Sequence, residues 1–327
     1  MAFPEKRQAP FMENCDLLRA TVSDIDATRI AKVLSWFREA DSFPTPVSVH
    51  FNLTTRCSCR CVHCKQWTWP DHPELTIEDI RNIFDILKSW QVHTITLAGG
   101  NPLLHHSFKD VCKAARQRNI EVGVITEGGL LDDGLLEAIG THVQWIRFSL
   151  DGPEAKIHDS IRNKAGLFSD VIDGIEKLVS SYPKLHIGLN CVVQKRNVYH
   201  LSKMIDLARD VRVKSLSFKI SHGEDPKRRY LLSTEEWQHF SELAQYALDV
   251  DTSPVQTNLE QLTYILNHVA NREDALSGRP IRTFYQKNRV HCYVPMFFMV
   301  CNSQGDVYPC CYLLSDNREW DSKYNQI

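Results

Sequence analysis

Cys57-Ser58-Cys59-Arg60-Cys61-Val62-His63-Cys64 is the segment from which the rest of the chain is best read. Cys57, Cys61 and Cys64 follow the spacing Cys-x3-Cys-x2-Cys, directly after the extended apolar run from Val47 to Leu53. Cys59 is an extra thiol inside the first gap. Three thiolates so close in sequence can hold three irons of a [4Fe-4S] cluster, whereas a cluster held wholly by protein takes four, so one iron would stay open to a ligand. Four cysteines within eight residues also match the soft ligand set of a structural zinc ion. On this segment alone both readings stand.

Working outward, the composition narrows the setting. The chain has 327 residues and a formal net charge of -2, which is enough to bury a large core and gives no broad basic field of the kind nucleic acid attracts. No apolar run reaches membrane-spanning length, and no charged region followed by an apolar core and cleavage site opens the chain. The expectation is a cytoplasmic protein without membrane or nucleic-acid partners. The 11 cysteines gather mainly at two places in a long chain, which favours metal ligation in a reducing compartment over a disulfide framework.

Periodicity then sets the elements. Apolar Ile30, Val33, Leu34 and Phe37 recur at helical spacing ahead of Pro44 and Pro46, so residues 1–44 read as a short helical preface. Alternation predicts strands at 47–53, 93–97, 121–125, 143–149, 185–193 and 215–220. Helices are predicted after Thr76, whose side chain can cap with Asp79, and at 108–118, 131–139, 169–180, 200–209 and 233–248. Six strand-helix units in succession predict an α/β domain over 45–250 with parallel strands and helices packed outside. Either an open doubly wound sheet or a partly closed barrel satisfies that pattern, and in both the chemistry collects at the carboxyl ends of the strands.

The unusual residues fall at those ends. After the second strand comes Ala98-Gly99-Gly100-Asn101-Pro102, where two glycines permit a close backbone approach and Pro102 fixes the exit. After the third comes Thr126-Glu127-Gly128-Gly129, rich in turn formers. After the fourth comes Ser149-Leu150-Asp151-Gly152-Pro153, with Arg162 shortly beyond. Each signal alone is compatible with an ordinary turn or cap.

Together, in this order, they resemble the radical S-adenosylmethionine (SAM) superfamily over roughly residues 47–220. The resemblance implies a partial (β/α)6 barrel in which Cys57, Cys61 and Cys64 ligate a [4Fe-4S] cluster and SAM chelates the open iron through its amino and carboxylate groups. Gly99, Gly100, Asn101 and Pro102 would meet the methionyl amine. Thr126 would join the cofactor-binding set, Ser149 and Asp151 would lie near the ribose or amine, and Arg162 would meet the carboxylate. Two positions depart from the family pattern. Asn101 stands where members usually have glutamate, keeping an acceptor oxygen but losing its charge. Residue 63, often aromatic in members, is His63. By the same resemblance, electron transfer to the SAM sulfonium gives a 5′-deoxyadenosyl radical that abstracts hydrogen from substrate.

A second cysteine group lies at Cys292, Cys301, Cys310 and Cys311, with Gln304-Gly305-Asp306 at a hairpin turn and Val307-Tyr308 as strand residues. Residues 251–327 resemble a linker and the start of a SPASM or twitch extension, which implies an auxiliary [4Fe-4S] cluster with Cys292 and Cys310 as ligands. No cysteine follows Cys311, so the extension looks incomplete: the expectation is that the chain is a truncated version of a longer protein, or that Cys301 and Cys311 complete an unusual site, or that a substrate or other ligand occupies an open iron. The implied function is hydrogen abstraction from a C-H bond of a ribosomal peptide or other natural product, leading to oxidation, epimerisation or crosslinking. A flavodoxin or ferredoxin would supply the electron. An epimerase would need a hydrogen donor, for which Cys301 is a candidate. The competing class is a noncatalytic iron-sulfur or SAM-binding protein.

Overall fold

In this computed structural model the described residues are 46–68, 72–129, 131–221, 229–249, 252–260, 262–263 and 298–308. The alternation read from sequence is realised as strands β1 (Ser48–Thr54), β2 (Thr94–Gly99), β3 (Glu121–Thr126), β4 (Trp145–Ser149), β5 (His186–Val193) and β6 (Ser215–Ile220). The helices are α1 (Ile77–Ser89), α2 (Phe108–Gln117), α3 (Asp133–His142), α4 (Ala155–Arg162), α5 (Leu167–Ser181), α6 (Leu201–Asp210) and α7 (Thr234–Asp249). Short strands β7 (Gln256–Thr257), β8 (Phe298–Cys301) and β9 (Val307–Tyr308) extend the sheet. The helical preface expected over residues 1–44 lies outside the described residues.

Local chemistry fixes the ends of these elements. Helix α1 begins at a capping box in which Thr76 Oγ1 accepts from Asp79 N and Asp79 Oδ2 accepts from Thr76 N, an arrangement worth about 1 kcal/mol. Its Ile80, Phe84 and Leu87 are buried, and Phe84 meets Phe51 of β1 edge-on at 6.2 Å. Helix α4 had no expected counterpart. Its inward positions are Ile157, His158, Ile161 and Arg162, and burying a histidine and an arginine erases the apolar stripe by which a helix is recognised.

The strand order is β7-β6-β5-β4-β3-β2-β1-β8-β9, with every neighbouring pair parallel except β8 and β9. From β1 to β6 each new strand is added on the same side of its predecessor, so the winding never reverses. A doubly wound sheet requires a reversal; its absence makes this the partial barrel, an α/β fold with a small C-terminal hairpin joined to the outer edge of β1.

The two faces of the sheet differ sharply. Val49, Phe51, Leu53, Ile95, Leu97 and Phe148 are at most 1% exposed and belong to one apolar core, each contributing about 1.5–3 kcal/mol by burial. Side chains alternate along a strand, so the other face carries His50, Asn52, Thr96, Arg147, Ser149 and Asn190. A parallel sheet normally buries apolar residues on both faces; this inner face is polar. The irregularity in pairing between Asn52 and Thr54 turns the chain out of β1 into the cysteine loop.

Candidate functional site

The cysteine loop leaves the carboxyl end of β1 and is tied to the ends of three other elements. Gly100 N donates to Thr54 O and Asn101 N donates to Arg56 O, both at 2.8 Å. A Cβ on Gly99 would lie 2.3 Å from Thr54 O, and one on Gly100 would lie 2.1 Å from Arg56 O. Gly99 also has φ +124°, open to glycine alone in practice. These glycines were expected to admit a ligand; on the side where a Cβ would stand they admit the backbone that enters the cysteine loop. From the opposite direction Arg60 N donates to Arg162 O at 3.1 Å and Val62 N to Ile161 O at 3.0 Å, so the loop satisfies carbonyls left open at the carboxyl end of α4. His63 Nδ1 lies 3.0 Å from Gln194 Nε2, just past β5.

Within the loop Cys59 and Cys61 are buried, while Cys57 and Cys64 are partly accessible. Cys59 shares side-chain hydrogen bonds with Cys57 and Cys61, and its own thiol is held strongly protonated by those bonds and by burial. The Cys61 thiol is drawn down to about 7, by its bond with Cys59 first and by Arg162 against the opposing effect of burial. Cys57 is lowered as well, chiefly by Cys59, while burial raises Cys64.

Among the described residues no three loop thiols have sulfurs all within 4.8 Å of one another. The trio that does gather within 4.8 Å is Glu74, His105 and His106, but Arg56 already holds both Glu74 oxygens at 2.9 Å.

Asp151 and Arg162 form a buried ion pair. Arg162 Nε lies 2.8 Å from Asp151 Oδ2, an ionic contact off-line for a hydrogen bond. Val192 N donates to Asp151 Oδ1 at 2.8 Å, and Arg162 Nη1 reaches Cys61 Sγ at 3.6 Å. Burial disfavours the Arg162 charge, but Asp151 and the neighbouring thiols outweigh it and hold the guanidinium charged. Both side chains are therefore engaged with protein, the arginine on a cysteine of the loop. Thr126 Oγ1 donates to Asn101 Oδ1 at 2.9 Å, and Asn101 Nδ2 donates to Glu127 Oε1 at 2.9 Å. Asn101 is fully buried and Glu127 is 4% exposed.

The structure thus gathers Gly99, Gly100, Asn101, Thr126, Asp151 and Arg162 around the loop of Cys57, Cys61 and Cys64. Pro102 begins a short 3-10 turn that Asn101 caps. Ser149 ends β4 beside Asn190. Sequence reading passed over Glu127, Ser58, Lys164, Gln194 and His158; of these Glu127 carried a signal, a carboxylate in a strand-end turn. Several buried polar atoms here have no protein hydrogen-bond partner: Asn190 Oδ1, Gln194 Oε1, Ser221 Oγ and His158 Nε2. Such groups call for water or a polar ligand, and three of them stand at or just past the carboxyl half of β5 and β6.

Cys301 is not part of this gathering. It pairs with Phe51 across β1 and β8, is 3% exposed, and belongs to the apolar core, so it shares the helix-covered face. Its thiol is pushed up to about 12, by burial first and by Asp306. Its placement lends no support to a role as hydrogen donor. The β8–β9 hairpin forms around Gly305, at φ +94°, as its turn residues predict. Cys292, Cys310 and Cys311 lie outside the described residues.

A family model described as the radical SAM superfamily matches residues 51–208, the span that holds the loop and every strand-end motif. Residues 51–208 belong to the radical SAM superfamily. This membership implies a [4Fe-4S] cluster and SAM, and the donor set described above fits both. Among relatives of the radical SAM segment, the chain is 29% identical over 170 residues to the AdoMet-dependent heme synthase of Methanosarcina barkeri, covering 51% of this chain and 48% of that protein. It is 27% identical over 220 residues to the antilisterial bacteriocin subtilosin biosynthesis protein AlbA of Bacillus subtilis, covering 64% and 48%. The matches span about half the length of these curated relatives. The crystal structure of Streptococcus suis SuiB bound to S-adenosylmethionine shares the fold at TM-score 0.67 and 15% identity, covering 94% of this chain and 72% of that one. Among the described residues no helix is long and apolar enough to cross a membrane.

Proposed function

We propose that this chain is a radical SAM enzyme that acts on a C-H bond of a ribosomal peptide or another natural product, by oxidation, epimerisation or crosslinking. The observation that carries this reading is the placement of the three-cysteine loop. It is bonded to the turns after β2 and β5 and to α4 at the strands' carboxyl ends, and Gln194 past β5, which meets His63 of the loop, keeps a buried Oε1 without a hydrogen-bond partner. Bound cluster and SAM together would supply a 5′-deoxyadenosyl radical, a reagent for unactivated C-H bonds.

The chain's own residues hold and orient. Cys57, Cys61 and Cys64 would ligate three irons. Arg162, fixed by Asp151, places positive charge against Cys61 and favours its thiolate form, which is the ligand form. The glycine pair locks the loop to the barrel, and the polar inner face would offer hydrogen-bond contacts to a substrate.

A peptide substrate is favoured by AlbA, named for bacteriocin biosynthesis, and by SuiB, which has also been solved bound to its precursor peptide SuiA. The heme synthase keeps non-peptide natural products within the proposed class. The hairpin around Gly305 supports an auxiliary-cluster extension with Cys292, Cys310 and Cys311 as candidate ligands; a flavodoxin or ferredoxin would serve as reductant.

The test is anaerobic reconstitution, addition of dithionite and SAM, and chromatography for 5′-deoxyadenosine. The wild type should form it, and the Cys57/Cys61/Cys64 triple-alanine variant should not. A protein that holds cluster and SAM without cleavage is instead a binding protein, and cleavage that survives the triple substitution overturns the site.

A further inference from the structure

The turn after β3 carries a carboxylate whose neighbours set it apart from the other acids around the cysteine loop. Asp151 is matched by Arg162 at 2.8 Å and by Val192 N. Glu74 is matched by Arg56 through both oxygens. Glu127, 4% exposed, meets no guanidinium among the described residues; its cation partner is Lys164 Nζ at 3.6 Å, on a side chain 23% exposed. Its Oε1 accepts from Ser58 Oγ at 2.5 Å and from Asn101 Nδ2 at 2.9 Å, and Oε2 accepts from Gly129 N at 3.1 Å. A carboxylate oxygen accepts two hydrogen bonds, so Oε2 retains acceptor capacity.

Asn101 cannot supply that charge, and its amide is already oriented. Its oxygen accepts from Thr126 Oγ1 at 2.9 Å and from Leu103 N at 3.3 Å, which turns its NH2 toward Glu127. The two side chains form one amide–carboxylate couple with the negative end at position 127. The family resemblance would bring the methionyl amino group of SAM to the turn after β2, and Glu127 is the acid that this turn's Asn101 reaches. We propose that Glu127 is the acidic acceptor for the methionyl amino group of SAM, with Asn101 as the positioning residue that holds its carboxylate. This inference rests on the reading of the chain as a SAM-binding protein. Lys164, bonded to Ser58 Oγ at 2.8 Å, balances the carboxylate from the solvent side.

The experiment is equilibrium binding of two probes to the anaerobically reconstituted protein: SAM, and 5′-methylthioadenosine, which lacks the amino acid moiety. Glu127→Gln keeps the size and one acceptor but removes the charge; it should weaken SAM binding about ten-fold or more, as expected for loss of a charge-assisted hydrogen bond. Binding of methylthioadenosine and the iron content should stay at wild-type values. The exchange variant Asn101→Glu/Glu127→Gln reverses donor and acceptor while keeping their bond, and should recover SAM affinity to within about three-fold, on the same reasoning. Wild-type SAM affinity in Glu127→Gln overturns the proposal. So does equal loss of both probes or of iron, which would make Glu127 an anchor of the loop. A wild-type protein that takes up iron but binds no SAM overturns the SAM reading itself, and this proposal with it.

Discussion

Replacing Asp151 with asparagine should destabilise the protein out of proportion to the single oxygen changed. Asp151 is fully buried, the side chain of Arg162 is 9% exposed, and the two are 2.8 Å apart. At that distance, with an effective dielectric near 20, the Coulomb attraction is of order 6 kcal/mol before desolvation is subtracted. Asparagine keeps the bond from Val192 N but leaves the guanidinium buried without its counter-charge. Breaking one side of a buried pair costs about 3–5 kcal/mol. With a urea slope of about 3 kcal/mol/M, the upper part of the usual range for small proteins, the unfolding midpoint should fall by about 1 M or more. Equilibrium urea unfolding followed by tryptophan fluorescence and far-UV circular dichroism measures it. The double variant Asp151→Leu/Arg162→Met removes both charges and should recover at least half of the loss, because the penalty belongs to the orphaned charge. An unchanged midpoint in Asp151→Asn, or a double variant worse than the sum of its singles, would refute this account of the pair.

Two further outcomes follow from the same geometry. Gly100→Ala sets a methyl group 2.1 Å from Arg56 O, so the turn must part from the loop and lose the bonds to Thr54 O and Arg56 O; a cost of about 2–3 kcal/mol and a reduced iron content after reconstitution are expected, and normal values for both would show that the loop moves freely. His158 is pushed down to about 4, by burial first and by Arg162 next; its folded value lies below the unfolded one near 6.5, so the unfolded state binds the additional proton between them. Stability present above about pH 6.5 should then be lost as pH falls toward 4, at roughly 1.4 kcal/mol per pH unit, and His158→Gln should flatten that slope in unfolding curves taken across the window.

What the sequence by itself determined was local. The alternation of β-rich runs located six strands to within a few residues, Thr76 and Asp79 marked the start of α1, and Gln304-Gly305-Asp306 marked the hairpin, because each depends on side chains close together in the chain. The Cys57, Cys61 and Cys64 spacing and its place after a strand were legible for the same reason. Strand order was not: both an open doubly wound sheet and a barrel fit six strand-helix units, and only the unbroken sequence of neighbours from β1 to β6 separates them. Helix α4 was missed because its buried side includes His158 and Arg162, whose burial is compensated by partners from β5 and the cysteine loop, distant in sequence. The tertiary structure alone decided that Asp151 is matched to Arg162, that Arg162 reaches Cys61, and that Asn101 donates to Glu127. Each of those facts joins residues 11 to 101 positions apart, and no local pattern records which distant polar groups a fold will bring within a hydrogen bond of each other.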